Sequence, residues 1–155
     1  RRLLQREEDL KEYYSSVLSA FELDDGHFLH KEDKSFFEKM MQIIDSHIQN
    51  TDLSVELLSS SLGYSTRQFY RKLKNVTEKT PADIIREYRL TIVERLLLTT
   101  QLSIEEIMDK TGFSNRGTFY KAFAQKFEMT PKQYRNIKTK DVHDASEEGG
   151  GTMNV

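Results

Sequence analysis

A segment of about thirty residues occurs twice in this 155-residue chain, about fifty positions apart. LSVELLSSSLGYSTRQFYRKLKNVTEKTP, from Leu53 to Pro81, returns as LSIEEIMDKTGFSNRGTFYKAFAQKFEMTP, from Leu102 to Pro131. In each copy Leu-Ser opens a short apolar segment, and a glycine, an aromatic and a serine follow at Gly63 and Ser65 or at Gly112 and Ser114. A second aromatic, Phe69 or Phe119, then leads a basic amphipathic stretch that ends at Thr80-Pro81 or Thr130-Pro131. Neither copy is long enough to bury a comfortable core alone, so the repeat constrains the chain to two small units that share supporting helices. The order helix, glycine turn, helix is the sequence form of a helix-turn-helix, and two copies imply two contacts on one extended partner.

Helix signals surround both copies. Residues 1–21 read as an amphipathic helix, with Leu3, Leu10 and Val17 at heptad spacing and Tyr14, Leu18 and Phe21 beside them. Phe21 to Lys34, with Asp24-Asp25-Gly26, reads as a linker. A second amphipathic helix carries Phe36, Phe37, Met40, Met41, Ile43, Ile44 and Ile48 on one broad face and is expected to pack on the first repeat. Ser54 caps the next helix, Gly63 ends it, and Ser65 with Gln68 forms a capping box for the helix running to about Val76. Thr80-Pro81 opens a long helix to about Thr99, with Ile84, Ile85, Tyr88, Ile92, Leu96 and Leu97 as its apolar positions. Ser103 with Glu106 forms a further box, Gly112 is the second turn, and Thr130-Pro131 with Gln133 opens a last short helix. No stretch alternates as a strand does. The expected fold class is all-α: two helix-turn-helix subdomains joined by a long linker helix, about seven helices plus the N-terminal one. The expected domains are 1–34 as a helix and linker from an upstream domain, 35–138 as the paired units and 139–155 as a disordered tail. Within the middle domain the first helix-turn-helix spans about 54–76, the linker helix 81–99 and the second helix-turn-helix 103–127.

The net charge of −2 hides an uneven distribution. From Thr51 to Lys138 there are 15 Lys and Arg against 10 Asp and Glu, whereas residues 1–50 hold 7 against 11 and the remaining tail 1 against 4. The repeat region is therefore the basic part, as contact with a polyanion requires. The chain has no Cys, which removes disulfides and thiolate metal sites and fits a reducing compartment, so the cytoplasm is the expected location. It contains no apolar run of membrane-spanning length, so no membrane contact is expected. It begins at Arg1 without an initiator Met, which suggests a piece of a longer protein.

The helix faces give the repeats a chemistry. With Phe69 as the buried reference and about 100° per residue, Leu73 and Val76 fall within about 40° of it, while Arg67, Tyr70, Arg71 and Lys74 fall near the opposite side. On the second helix of a helix-turn-helix such a row suits the major groove, where Arg forks to guanine and basic side chains grip phosphate. In the second copy Phe119, Phe123 and Phe127 face inward, and Tyr120, Lys121 and Gln125 outward. One extra residue there places Gly117 where the first copy has Arg67, so the second unit should read bases less and rely on Arg116, Tyr120, Lys121 and backbone contacts. Gln68 and Thr118, in the first turns of the two helices, complete the candidate DNA-binding set. The helix from Pro81 to Thr99 would be roughly 28 Å long, close to the roughly 34 Å turn of B-DNA, and suits two recognition helices in successive grooves.

Residues 36–138 resemble the AraC/XylS family of bacterial transcription regulators. That family's DNA-binding domain reads SIxEIAxxxGFxxxxYFxRxFKKxxGxTPxxYR after a linker helix rich in RLxxAxxLL. The corresponding segments here are SIEEIMDKTGFSNRGTFYKAFAQKFEMTPKQYR and RLTIVERLL. The resemblance implies seven helices, two helix-turn-helix units and a monomeric domain that binds tandem major grooves of double-stranded DNA. It assigns base-contact roles to Arg67, Tyr70 and Arg71 in the first unit and to Arg116, Tyr120 and Lys121 in the second. Met108 and Val93 stand where the family has Ala, and Gly117 is the departure that bears on function. The run RKLKNVTEKTPADIIREYRL resembles the subgroup found in hybrid two-component regulators. That likeness implies an upstream receiver domain in the same chain, a sensor kinase in the full-length protein, RNA polymerase as a candidate partner and a homodimer through residues 1–21.

Other chemistries have weaker support. His27, His30, His47 and His143 match no zinc spacing, and there is no glycine-rich phosphate loop or nucleophile elbow, so no enzyme, cofactor or metal site is expected of these residues. The His27-x-x-His30 pair with Glu32 reads as loop histidines and His47 as a capping or solvated one. A helical protein-binding module is the main alternative to DNA. RNA fits less well, because few aromatics face outward to stack bases.

Overall fold

Capping side chains set where most of the helices begin. The computed structural model describes residues 2–25 and 30–140, with the backbone alone for residues 2–5 and 21–25. Its helices are α1 (Arg2–Asp25), α2 (Lys31–Ser46), α3 (Val55–Ser61), α4 (Thr66–Lys74), α5 (Pro81–Thr99), α6 (Ile104–Thr111) and α7 (Arg116–Phe127), followed by α8 over residues 131–140. The fold is all-α, with no strand among the described residues. Two compact units divide it, Arg1–Ile92 and Val93–Val155, and α5 belongs to the first as far as Ile92.

In the first unit α2 buries Phe36, Phe37, Met40, Met41 and Ile44 and packs on α3 and α4. Phe36 meets Tyr64 and Phe69 at ring separations of 5.8 and 5.7 Å. Helix α1 runs four residues beyond its expected end, so Glu22 to Asp25 are helical rather than linker, and α2 starts at Lys31. The acidic residues Glu32 and Asp33 in its first turn face the positive end of the helix dipole, which favours that early start. His27 and the rest of 26–29 lie outside the described residues, as does 141–155; Thr139 and Lys140, assigned above to the tail, close α8. Helix α1 packs on α2, burying Tyr13, Val17 and Leu18. The heptad face offered to a second copy is thus occupied at Val17 within the same unit. His47 caps α2, its Nδ1 lying 2.9 Å from the Ile43 carbonyl.

In the second unit Phe119 and Phe123 are fully buried, and Tyr134 of α8 packs on Phe123 and Phe127 at 5.8 and 5.0 Å. The Tyr134 hydroxyl donates to Glu94; burial first, then that bond, pushes its phenol up to about 12. Arg135 donates to the carbonyls of Leu97, Thr100 and Leu102 at 3.0, 3.3 and 2.7 Å. It thereby satisfies acceptors that the end of α5 leaves open. Val93 is fully buried and Met108 nearly so, which seats the larger side chains in the core.

The backbone turns as the glycines require, with φ of 80° at Gly63 and 79° at Gly112. Glu128, the C-cap of α7, also adopts the left-handed region at φ 62°, which costs a residue with a Cβ about 1 kcal/mol. Glu128→Gly is therefore expected to stabilise the second unit by about 0.5–1 kcal/mol. Thermal melting followed by circular dichroism checks this, and a lower melting temperature would show that the Glu side chain compensates for its own strain.

Candidate nucleic-acid interface

Helices α3 and α4 form the first helix-turn-helix and fix the orientation of α4 through its N-terminus. Ser65 Oγ accepts from the Gln68 amide at 3.2 Å, and Gln68 Oε1 accepts from the Ser65 amide at 3.0 Å. The expected capping box is thus formed, and the Gln68 side-chain oxygen is occupied by it. The buried stripe is Phe69 and Leu73, with Val76 buried just past the helix end, whose amide bonds back to Leu73 at 2.9 Å. Arg67, Tyr70, Arg71 and Lys74 are all exposed, Tyr70 by 48%. Among the described residues neither Arg67 nor Arg71 enters an ion pair. Lys72, equally basic, is turned the other way and sits over the Phe36 and Tyr64 rings at 5.7 and 5.5 Å.

The second unit repeats this plan with one change at the turn. Asn115, not Ser114, caps α7, its Oδ1 accepting from the Thr118 amide at 2.9 Å. The inserted residue lengthens the turn instead of the helix, so Arg116, Gly117 and Thr118 take the helical positions of Thr66, Arg67 and Gln68. Gly117 therefore stands where Arg67 does. A Cβ there would lie 3.3 Å from the capping oxygen of Asn115, so a larger residue would require that oxygen to shift by a few tenths of an ångström. On α6, Ser103 Oγ accepts from the Glu106 amide at 3.1 Å, and the Glu106 carboxylate accepts from that same hydroxyl at 3.2 Å. Lys121 and Thr118 are exposed and Tyr120 is half-buried against Phe119.

Arg116 differs from the arginines of α4. Its Nη1 pairs with Glu105 on α6, its Nη2 donates to the Tyr120 hydroxyl at 3.2 Å, and its Cζ lies 5.0 Å from the centre of the Tyr120 ring. The bond to Arg116 holds the Glu105 carboxyl below its usual range, and Glu105 in turn raises the guanidinium. No local pattern announces this pair, since eleven positions separate its members.

Among the described residues no group of three or more His, Asp or Glu could hold a metal ion, and no helix is long and apolar enough to cross a membrane. Each unit carries instead a capped short helix, packed by an aromatic stripe and open on a polar, basic face. That arrangement is a tandem helix-turn-helix of the nucleic-acid-binding class. A family model for a helix-turn-helix domain matches residues 58–137. The regulatory protein SoxS of Escherichia coli K12 is 30% identical over 103 residues, which are 66% of this chain and 95% of SoxS. Histidine kinase P4 of Formosa agariphila is 34% identical over 104 residues, 67% of this chain and only 8% of that protein. The C-terminal domain of the two-component response regulator YesN from Fusobacterium nucleatum aligns with a TM-score of 0.59 and 28% identity, covering 63% of this chain and 95% of that one. The chain belongs to the AraC/XylS family of transcription regulators and comprises the family's DNA-binding domain.

Proposed function

We propose that this chain reads double-stranded DNA by sequence, with α4 and α7 entering successive major grooves on one face of the duplex. The observation that carries the reading is the exposed row Arg67, Tyr70, Arg71 and Lys74 on the second helix of a helix-turn-helix, with its arginines in no ion pair among the described residues. Arg116, Thr118, Tyr120 and Lys121 are the corresponding contacts of α7, and Gln68 contributes through its amide nitrogen. The likeness to P4 and to the YesN domain supports a place at the output end of a two-component protein, controlled by an upstream receiver and sensor module. Kinase activity then belongs to the longer protein and not to these residues, and the domain works in the cytoplasm where DNA and RNA polymerase are found.

Selection from random duplexes followed by footprinting tests the reading. The expected result is an asymmetric site protected over two adjacent major grooves. If binding rests on about six phosphate contacts, raising the salt from about 50 to 200 mM should weaken it on the order of 10³-fold in fluorescence anisotropy. A partner protein recovered with salt-insensitive affinity, and no duplex selected, would favour the helical interaction module instead.

A further inference from the structure

Glu105 has no place in the DNA contacts proposed above, yet among the described residues it is the acidic side chain that pairs with a residue of that set. It stands in the first turn of α6, 64% exposed, and grips an Arg116 that is itself 61% exposed. A free arginine on a surface explores many rotamers, and ordering it on binding reduces affinity. Arg116 is held at three points: the Glu105 carboxylate, the Tyr120 hydroxyl and the Tyr120 ring face. Several of its N–H donors remain uncommitted, enough for a planar fork. Because Gly117 leaves the helical position of Arg67 without a side chain, Arg116 is the arginine by which α7 can read a base.

We propose that Glu105 is a positioning residue that sets the base specificity of the second unit, holding the Arg116 guanidinium ready for the O6 and N7 edge of a guanine. This rests on the reading of α7 as a major-groove helix. The carboxylate acts in two ways. It fixes the plane of the guanidinium against the Tyr120 ring, and its negative charge discourages Arg116 from swinging to a phosphate, which any sequence would offer. Asp109, on the same shallow cleft as Glu105 and Arg116, adds to that repulsion. Glu105 therefore lowers affinity for DNA in general while raising discrimination, a trade made by a repulsive element.

The test compares Glu105→Ala, Glu105→Gln, Arg116→Ala and the double variant Glu105→Ala/Arg116→Ala with the unmodified chain. Each is bound to the duplex selected from a random pool, to versions of it with each base pair replaced, and to a shuffled duplex. Glu105 is exposed, so circular dichroism should show all variants folded. Glu105→Ala is expected to bind the shuffled duplex about threefold more tightly, from one fewer negative charge near the phosphates. It should also lose about tenfold in preference for one guanine in the half-site of the second unit. Glu105→Gln, which keeps a hydrogen-bond acceptor, should retain most of that preference. With Arg116 already replaced by Ala, removing Glu105 should leave base preference unchanged. If Glu105→Ala raises binding to selected and shuffled duplexes by the same factor with the guanine preference intact, Glu105 is a bulk charge and the proposal is overturned. A wild-type chain that binds all duplexes alike overturns the DNA-reading assignment itself, and this proposal with it.

Discussion

Arg67→Ala is expected to lower affinity for the selected duplex about 10- to 100-fold and to relax base choice at one position of the site. Arg67 sits at the second residue of α4, where the capping box fixes the first turn, and it enters no ion pair among the described residues. The guanidinium can therefore present its fork to a guanine without first giving up a partner. Binding to a shuffled duplex should fall much less, since only one charge is lost. Lys74→Ala is the contrasting variant. A lysine at the end of the exposed row suits phosphate, so its loss should weaken all sequences alike and reduce the salt slope by about 1. Lys121→Ala should behave like Lys74→Ala. Equal losses of specificity from Arg67→Ala and Lys121→Ala, measured by competition binding at fixed salt, would falsify the unequal division of labour between the two units.

The basis of that proposed inequality was legible in the sequence in outline and not in cause. The inserted residue after Gly112 was plain, and so was the absence of a side chain at Gly117. What the pattern did not show is that the cap moves to Asn115, so the extra residue is absorbed in the turn and α7 keeps the register of α4. Local features carried well because their signals lie within a few residues. The Ser65–Gln68 box, the positive φ of Gly63 and Gly112, and the spacing of Phe69 with Leu73 all follow from neighbours along the chain. Contacts between distant segments did not carry, because no periodicity announces them. Arg135 reaches Leu97 from 38 residues away, and Tyr88 reaches Asp45 from 43. The YR pair of the last helix was visible as a motif, but its work as a core plug and a carbonyl clamp needs the fold. The linker reading of Phe21–Lys34 failed at both ends for a related reason. Asp24 and Asp25 weaken a helix by propensity alone, yet propensity is a weak prior, and α1 continues through them to Asp25.

Asp45→Ala is expected to destabilise the first unit by about 2–3 kcal/mol, more than the loss of either hydrogen bond alone would suggest. Asp45 Oδ1 accepts from the Tyr88 hydroxyl at 2.6 Å and from Arg6 Nη2 at 2.9 Å, while its backbone carbonyl accepts from the same Arg6 nitrogen at 2.7 Å. Tyr88 is fully buried. Burial first, and then the Asp45 carboxylate, raises its phenol well above the usual tyrosine range, so it remains a proton donor. Removing the carboxylate leaves that donor buried without its acceptor and Arg6 without its counter-charge, and Arg6 Nε is already buried and unpartnered. Tyr88→Phe removes the donor together with its need for a partner, so its expected cost is about 1 kcal/mol. Asp45→Asn keeps an acceptor for Tyr88 and should fall between the two. The carboxylate joins α1, α2 and α5, so Asp45→Ala should also speed amide hydrogen exchange along α1, where Tyr13 still bonds the Ile84 carbonyl at 3.4 Å and packs on Tyr88 at 5.6 Å. If denaturant melts place Asp45→Ala level with Tyr88→Phe, water reaches the Tyr88 hydroxyl once Asp45 is gone. In that case the hold on α1 comes from Tyr13, Val17 and Leu18 rather than from the shared carboxylate.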